Sequence, residues 1–285
     1  MTDTSADKKG KYYERFDAYS RFLHVLVITS FISLAITGMI IKFSGIGVFQ
    51  SISNFLGGYA VTGFIHRVAA VVTFVYFGLH IGYLIRKVKK KQSKFTSLLH
   101  GENSLVPNKN DLTELIATMK WFIGKGPRPE YGRWTYWEKF DYWAVFWGVA
   151  VIGLSGLILW FPEFFTSIGL PGWFINIATI VHSDEALLAV GFIFTYHFFN
   201  THFRPDKFPM DTVIFTGHVP LEEYKKDRPR EYQELVESGN LDKVVVEKEI
   251  SYTRLKTIKF FGYLFLATGI AIVILIVYSM IAGVY

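Results

Sequence analysis

The stretch HRVAAVVTFVYFGLH, residues 66–80, is an apolar run with a histidine at each end. Such a run suits a membrane-spanning helix, in which a polar side chain costs free energy unless a partner satisfies it. On an α-helix the steps from His66 to His80 fall about 40° short of four full turns, so the two imidazoles share one face and lie about 21 Å apart. The stretch therefore predicts two binding positions at different depths in a membrane.

Apolar residues are gathered in blocks along the whole chain. The chain has 285 residues, of which 51% are hydrophobic. Five blocks are long enough to cross about 30 Å of hydrocarbon as helices. The blocks are residues 22–43, 59–85, 142–161, 173–203 and 258–284. We therefore predict an all-α integral membrane protein with five membrane-spanning helices.

Positive charge is concentrated between these blocks. All 30 lysines and arginines except Lys42 and Arg67 lie before the first block, between the second and third, or from Arg204 to Lys259, the second residue of the fifth block. By the positive-inside rule we predict a protein of the cytoplasmic (inner) membrane with a cytoplasmic N-terminus and a periplasmic C-terminus. The net charge of +6 is thus explained by membrane topology and does not favour nucleic-acid binding.

The loop after the second block has two features of a membrane surface. The basic run RKVKKKQSK at 86–94 suits anionic lipid headgroups. The stretch NKNDLTELIATMKWFIGK, residues 108–125, predicts a short helix lying on the membrane, with Asp111 as its cap. Neither this loop nor the next contains a phosphate-binding glycine loop, so we expect the chemistry inside the helical bundle.

The chain contains no cysteine. This excludes disulfides, iron–sulfur ligation and thioether-attached haem within the chain. Any redox cofactor must therefore be held by other side chains.

An internal repeat relates the first two spans to the third and fourth. ERFDAYSRF at 14–22 leads into the first span much as EKFDYWAVF at 138–146 leads into the third. Both spans then carry a small residue followed by glycine, at Gly38 and Gly156. We interpret this as a parallel duplication about an axis along the membrane normal. Under this repeat the matching pairs are His66 with His182 and His80 with His197.

Facing histidines at two depths form a ligand set for two six-coordinate haems stacked across the bilayer. Zinc and copper sites instead gather their ligands at one level. The steps from His182 to His197 overshoot four turns by about 60°, which a bulge near Gly191 would absorb. Arg67, beside His66, would pair with a haem propionate, or it would snorkel to the interface.

Two further histidines, His24 and His202, lie at the cytoplasmic ends of the first and fourth spans. Each is interpreted as a ligand of the inner haem, as part of a quinone site, or as an ordinary interfacial residue. Sparse charged groups near the spans could exchange protons with a quinol, or be solvated caps. These are Glu163, Asp184 and Glu185 at the outer edge, and Glu14, Asp17 and Lys207 at the inner edge.

Four stretches together resemble the membrane cytochrome b family. They are RFLHVLVITSFISLAITGMII at 21–41, HRVAAVVTFVYFGLH at 66–80, EKFDYWAVFWGVAVIGLSGLILWFP at 138–162 and HSDEALLAVGFIFTYHFFNTHFRP at 182–205. This family includes the b-type subunits of respiratory formate dehydrogenases and nickel-iron hydrogenases, and cytochrome b/b6-like subunits that partner multihaem cytochromes c. The resemblance implies two b haems in a four-helix bundle. It also implies electron exchange between a menaquinone or ubiquinone pool and a periplasmic multihaem cytochrome c or iron–sulfur dehydrogenase subunit.

The resemblance and the repeat differ about one ligand. The resemblance implies His66 with His182 for the outer haem, and in its formate dehydrogenase branch His24 with His197 for the inner haem. The repeat favours His80 with His197, which leaves His24 near a quinone or on a third haem with His202. Because His202 points about 140° away from His197, a third haem would sit to one side.

These observations predict four regions. They are a cytoplasmic N-terminal segment (1–21), a di-haem domain (22–205) with a cytoplasmic loop (86–141), a cytoplasmic segment (206–257) and a fifth membrane helix (258–285). The expected function is that of a quinol/quinone oxidoreductase subunit that transfers electrons across the membrane. Within the redox class the alternative is a transmembrane ferric or ascorbate-type reductase, which needs no quinone. Outside it the alternatives are a non-redox transporter whose histidines bind metal or relay protons, which would be colourless, or an anchor for a peripheral enzyme. Loss of the four paired histidines would leave assembly and activity of the anchor intact.

Overall fold

The computed structural model of this chain describes residues 8–90, 104–205 and 207–282. Five of its helices are long and apolar enough to cross a membrane. They are α1 (Ala18–Lys42), α3 (Tyr59–Lys89), α5 (Tyr136–Trp160), α7 with its continuation (Trp173–Phe203) and α11 (Tyr252–Ile281). The prediction of an all-α integral membrane protein with five spanning helices is confirmed. The end of the basic run, residues 91–94, lies outside the described residues.

Shorter helices connect the spans. They are α2 (Gly47–Leu56), α4 (Lys109–Phe122), α6 (Pro162–Ser167), α8 (Val213–Thr216), α9 (Leu221–Asp227) and α10 (Pro229–Glu237), followed by a 3₁₀ turn (Leu241–Lys243). The sequence predicted Asp111 as the cap of α4, but the N-cap is Asn108, three residues earlier. The Asp111 carboxylate accepts a hydrogen bond from the Asn108 backbone N–H at 2.6 Å, which completes a capping box.

The chain divides into two compact units. Unit 1 comprises residues 1–21, 82–143 and 210–261, and unit 2 comprises residues 22–81, 144–209 and 262–285. Unit 2 contains most of each span. Only 6% of the most apolar window of α5 is buried within the protein. Outward apolar side chains of this kind suit the hydrocarbon of a bilayer.

Unit 1 contains a small antiparallel sheet that the sequence did not predict. Its strands are β1 (Lys8–Glu14), β2 (His218–Pro220) and β3 (Val245–Ile250), with β1 in the centre. Tyr12 is paired with Pro220 on one side and Val246 on the other. Behind the sheet, the buried ring of Tyr13 stacks on Tyr224 with centroids 3.7 Å apart. Burial is also the main reason that the pKa of Tyr224 is raised.

A buried group of charges ties the segments of unit 1 together. The Arg15 side chain is 6% exposed and pairs with Glu138 at 3.2 Å and Glu231 at 3.6 Å. Arg228 also pairs with Glu138, at 2.9 Å. Burial lowers the pKa of Arg15, although Glu138 opposes that shift. Because these residues come from three distant segments, the ion pairs hold the N-terminal segment against both long loops.

Glu231 connects a second part of the same group. It accepts hydrogen bonds from Arg133 and from the Tyr13 hydroxyl, each at 2.9 Å. Burial acts to lower the pKa of Arg133, but Tyr13 and Glu231 outweigh it, so the pKa is raised. Burial also raises the pKa of Tyr13. The buried carboxylate of Glu231 is thereby stabilised by cations and a hydroxyl donor.

Candidate functional site

His66 of α3 lies against the small-residue step of α1. Its Nδ1 is 2.8 Å from Thr37 Oγ1. The Thr37 hydroxyl donates its proton to the Ser33 carbonyl oxygen at 2.6 Å, so its oxygen is free to accept from His66 Nδ1. A Cβ on Gly38 would lie 3.5 Å from His66 Cε1. With the proton on Nδ1, the Nε2 lone pair of His66 is available to a metal.

His182 of α7 is held in the same way by α5. Its Nδ1 donates to the Ile152 carbonyl oxygen at 2.9 Å and lies 3.4 Å from Ser155 Oγ. Because a carbonyl only accepts, this contact fixes the proton on Nδ1 and leaves Nε2 available. A Cβ on Gly156 would lie 2.9 Å from His182 Cε1, so the ring fits only against glycine.

The two imidazoles face each other inside unit 2. Their ring centroids are 6.2 Å apart and their planes are 75° from each other. A metal between two histidines forms bonds of about 2 Å to each nitrogen, and each ring adds about 1 Å to its centre, which gives a separation of about 6 Å. The spacing of His66 and His182 is therefore one at which both residues would hold a haem iron between them.

The fourth span changes its winding before the inner histidine. Two π-helical segments, Ile193–His197 and Phe199–Phe203, continue α7. An i→i+5 turn contains about one residue more than an α-turn. On a regular α-helix His197 would lie about 60° past the face of His182, and the π-helical turn largely removes this difference. The sequence predicted a bulge near Gly191, and the π-helical winding starts two residues beyond it. His197 is therefore returned toward the face of His182.

The fifth span, α11, packs against the π-helical part of the fourth span. A Cβ on Gly269 of α11 would lie 2.7 Å from Phe198 Cε2 and would also contact Phe194. Both phenylalanines are buried. Glycine at this position therefore lets α11 approach the π-helical segment closely.

Unit 2 also contains His24, His197 and His202. His24 lies within electrostatic range of His197 and His202, and His202 within that of His197. The Nδ1 atom of His202 is buried and has no hydrogen-bond partner among the described residues. The ring of His80 packs on Phe146, with centroids 6.2 Å apart. The proximity of His24 to His197 was not available from the periodicity of either helix alone.

The outer charged residues are placed as follows. Arg67 is exposed, and its guanidinium lies 6.0 Å from the Trp160 ring centroid. Lys42 pairs with Asp184 at 3.4 Å. Among the other outer carboxylates, Glu185 accepts a hydrogen bond from Trp147 Nε1 at 3.2 Å and Glu163 is exposed. Both interpretations of Arg67 stay open.

The inner carboxylates lie in unit 1. The Asp17 carboxylate accepts hydrogen bonds from the Tyr83 hydroxyl at 2.6 Å and from the Ser20 backbone N–H at 2.7 Å. Burial acts to raise the pKa of Asp17, but these hydrogen bonds outweigh it, so the pKa is lowered. Glu14 is exposed.

Sequence reasoning missed the hydroxyl groups that face the two outer imidazoles. Thr37 and Ser155 each stand directly before the glycine that defines the repeat. The signal was therefore present in the pairs Thr37–Gly38 and Ser155–Gly156. It was not used because a hydroxyl on an apolar helix commonly bonds to its own backbone.

The chain also matches a model of a known protein family. A family model described as Prokaryotic cytochrome b561 matches residues 15–206, about two thirds of the chain. The matched range contains the first four spans and all seven candidate site residues, and it ends before α11. No curated protein matches the chain.

Proposed function

The chain belongs to the prokaryotic cytochrome b561 family, and from this premise we propose that it exchanges electrons between membrane quinone and a periplasmic partner by means of two haems. Family membership itself supports the general function of the protein. The protein is a multi-pass membrane cytochrome that carries b-type haem and transfers electrons across the bilayer. The number of haems, their ligands, the quinone and the partner are our proposal.

The outer haem would be held by His66 and His182. The observation that carries the proposal is their 6.2 Å centroid separation, together with the oxygen atoms of Thr37 and Ile152 that face the two Nδ1 atoms. A bound b haem supplies reversible one-electron chemistry at its iron. Hydrogen bonds from each Nδ1 fix the orientation of both rings and increase the basicity of the ligating nitrogens.

The inner haem would be held by His24 and His197. Support comes from the electrostatic proximity of His24 to His197 and from the ligand set that the family resemblance implies. His80 remains the alternative to His24. This proposal differs from the preference that helical periodicity gave, because periodicity reports the face of a helix and not its neighbours.

His202 is proposed to contact quinone. Its Nδ1 atom is buried without a hydrogen-bond partner among the described residues, so it is available to a quinone oxygen. Its proximity to His197 would bring the quinone close to the inner haem. The alternative is a third haem ligated by His24 and His202. We propose menaquinone or ubiquinone, since both present the same carbonyl oxygens to such a donor.

The proposed topology follows from the distribution of lysine and arginine. Segments 1–21, 86–141 and 206–257 would face the cytoplasm, and the C-terminus would face the periplasm. The outer haem would then lie near the periplasmic partner. Because this chain has no cysteine, the c-type haems or iron–sulfur clusters of that partner belong to other chains.

A quinol-reduction assay tests the proposed function. Purified protein is mixed with a reduced menaquinone or ubiquinone analogue, and haem reduction is followed by absorbance, with dithionite giving full reduction. We expect quinol to reduce the haem, and His202→Ala to slow this reduction while dithionite still reduces the haem fully. Reduction by dithionite but not by either quinol would contradict the quinone proposal and favour a ferric or ascorbate-type reductase.

A further inference from the structure

Helix α4 turns its polar side chains inward. Asp111, Glu114 and Thr118 are each less than a tenth exposed. Their partners are Lys139 at 2.8 Å from Asp111, Arg230 at 2.8 Å from Glu114, and the Tyr131 hydroxyl at 2.8 Å from Thr118. Burial raises the pKa of Glu114, although Arg230 opposes that shift. The ion pairs fix which face of α4 is attached to the rest of unit 1.

The apolar side chains of α4 face outward. Leu112 is 61% exposed, Ile116 46%, Met119 60%, and Ile123 at its C-cap 65%. At about 100° per residue these four positions fall within an arc of about 60°, which makes a continuous apolar stripe. The stripe is well separated from the buried polar face. Helices that pack on a protein core show the reverse arrangement.

Contacts to α5 give the level of this helix. The Trp143 indole N–H donates to the Leu105 carbonyl oxygen at 3.0 Å, just before α4 begins. One turn earlier on α5, Lys139 pairs with Asp111 at 2.8 Å. The apolar block of α5 starts at residue 142. The start of α4 therefore lies level with the point at which α5 enters hydrocarbon.

Positive charge borders the apolar stripe. Lys109 and Lys120 lie about 60–80° around the helix from Leu112, and Lys125 follows the helix. All three are exposed. Exposed Trp121 and Trp143 are of the type enriched at the boundary between water and lipid. An apolar stripe flanked by lysine at this level is complementary to an anionic lipid surface.

We propose that α4 binds the surface of the bilayer that the protein spans, with its apolar stripe among the acyl chains and its lysines at anionic headgroups. The occupant of the stripe is lipid, because the contacts to α5 put it at the level where the apolar block begins. Since α4 pairs with α5 through Asp111 and with α10 through Glu114, lipid binding would also hold the paired ends of these helices near the membrane surface.

Single-cysteine labelling tests this proposal, because the natural chain contains no cysteine. Full-length Ile116→Cys and Met119→Cys carry an environment-sensitive fluorophore on the stripe. Thr113→Cys is the matched control, since Thr113 is exposed on the polar flank of the same helix. Each variant is reconstituted in vesicles of phosphatidylcholine and phosphatidylglycerol that contain brominated acyl chains. An unchanged haem spectrum shows that each variant is folded.

We expect brominated lipid to quench the labels at 116 and 119 severalfold more than the label at 113. Weak and equal quenching at the three positions would overturn the proposal. A stripe covered by a partner subunit predicts a different result, namely no lipid quenching in vesicles and protection of both cysteines from a water-soluble maleimide in native membranes. That outcome would also overturn it.

Discussion

Replacing Gly156 with alanine is expected to displace the His182 imidazole. The added methyl carbon would lie 2.9 Å from Cε1 and 3.2 Å from Nδ1 of His182. Favourable carbon–carbon contacts begin at about 3.5 Å, so the ring must move by about 0.5 Å. This exceeds the tolerance of about 0.2 Å for a metal–ligand bond. It also strains the 2.9 Å hydrogen bond to Ile152.

Loss of such positioning typically lowers metal affinity about 10- to 100-fold, which corresponds to about 1.4–2.8 kcal/mol. The repeat provides the control, because a methyl group at Gly38 would make an ordinary 3.5 Å contact with His66. The assay is haem transfer to an excess of apomyoglobin, followed by absorbance. Gly156→Ala should release its outer haem faster than wild type and Gly38→Ala should not. Equal haem retention in both variants would refute the reasoning.

Three further changes test other contacts. Thr37→Ala removes the 2.8 Å partner of His66 Nδ1 and should weaken haem retention about 10- to 100-fold in the transfer assay. Arg15→Ala removes one of the two cations that pair with each of Glu138 and Glu231, and should cost about 2 kcal/mol of unfolding free energy, while Arg15→Lys should cost less. A loss in Arg15→Ala no larger than in Arg15→Lys would contradict this. The pKa of Asp17 is lower in the folded than in the unfolded protein, where it is about 4, so ionised Asp17 stabilises the fold above pH 4. Tyr83→Phe removes a hydrogen bond to this carboxylate and should reduce the thermal midpoint at pH 7, and the difference from wild type should vanish as the pH falls through the folded pKa. A difference that stays constant with pH would contradict this prediction.

Hydropathy located the spans well and their ends less well. The third block was predicted to start at residue 142, but α5 begins at Tyr136. The fifth was predicted to start at residue 258, but α11 begins at Tyr252. Hydropathy reports the hydrocarbon thickness, whereas a helix continues beyond it wherever capping and ion pairs allow. Glu138 shows this, since its carboxylate accepts from the Thr135 backbone N–H in the extra turn.

The sheet and the charged group of unit 1 could not be read from local pattern. The strands of the sheet are short and pair residues as distant as Tyr13 and Val219. Arg15 similarly pairs with Glu231. Such pairings depend on where the intervening spans return the chain, which no local periodicity encodes.

The candidate site was likewise predictable from the sequence only in part. The repeat predicted that the glycines and histidines at the outer level would match, and both imidazoles lie against their glycine. At the inner level the question is which helix neighbours His197. Helical periodicity gives the face on which His24 or His80 lies, but the choice between them depends on packing between helices. The haem ligands therefore remain a prediction.

The haem b content of the purified protein tests the central claim most directly. Pyridine haemochrome spectra give haem per chain for wild type and for His66→Ala, His24→Ala and His80→Ala. We predict two haems in wild type, one in His66→Ala, one in His24→Ala and two in His80→Ala. One haem in His80→Ala with two in His24→Ala would reverse the inner assignment, and fewer than two haems in wild type would contradict the di-haem account itself.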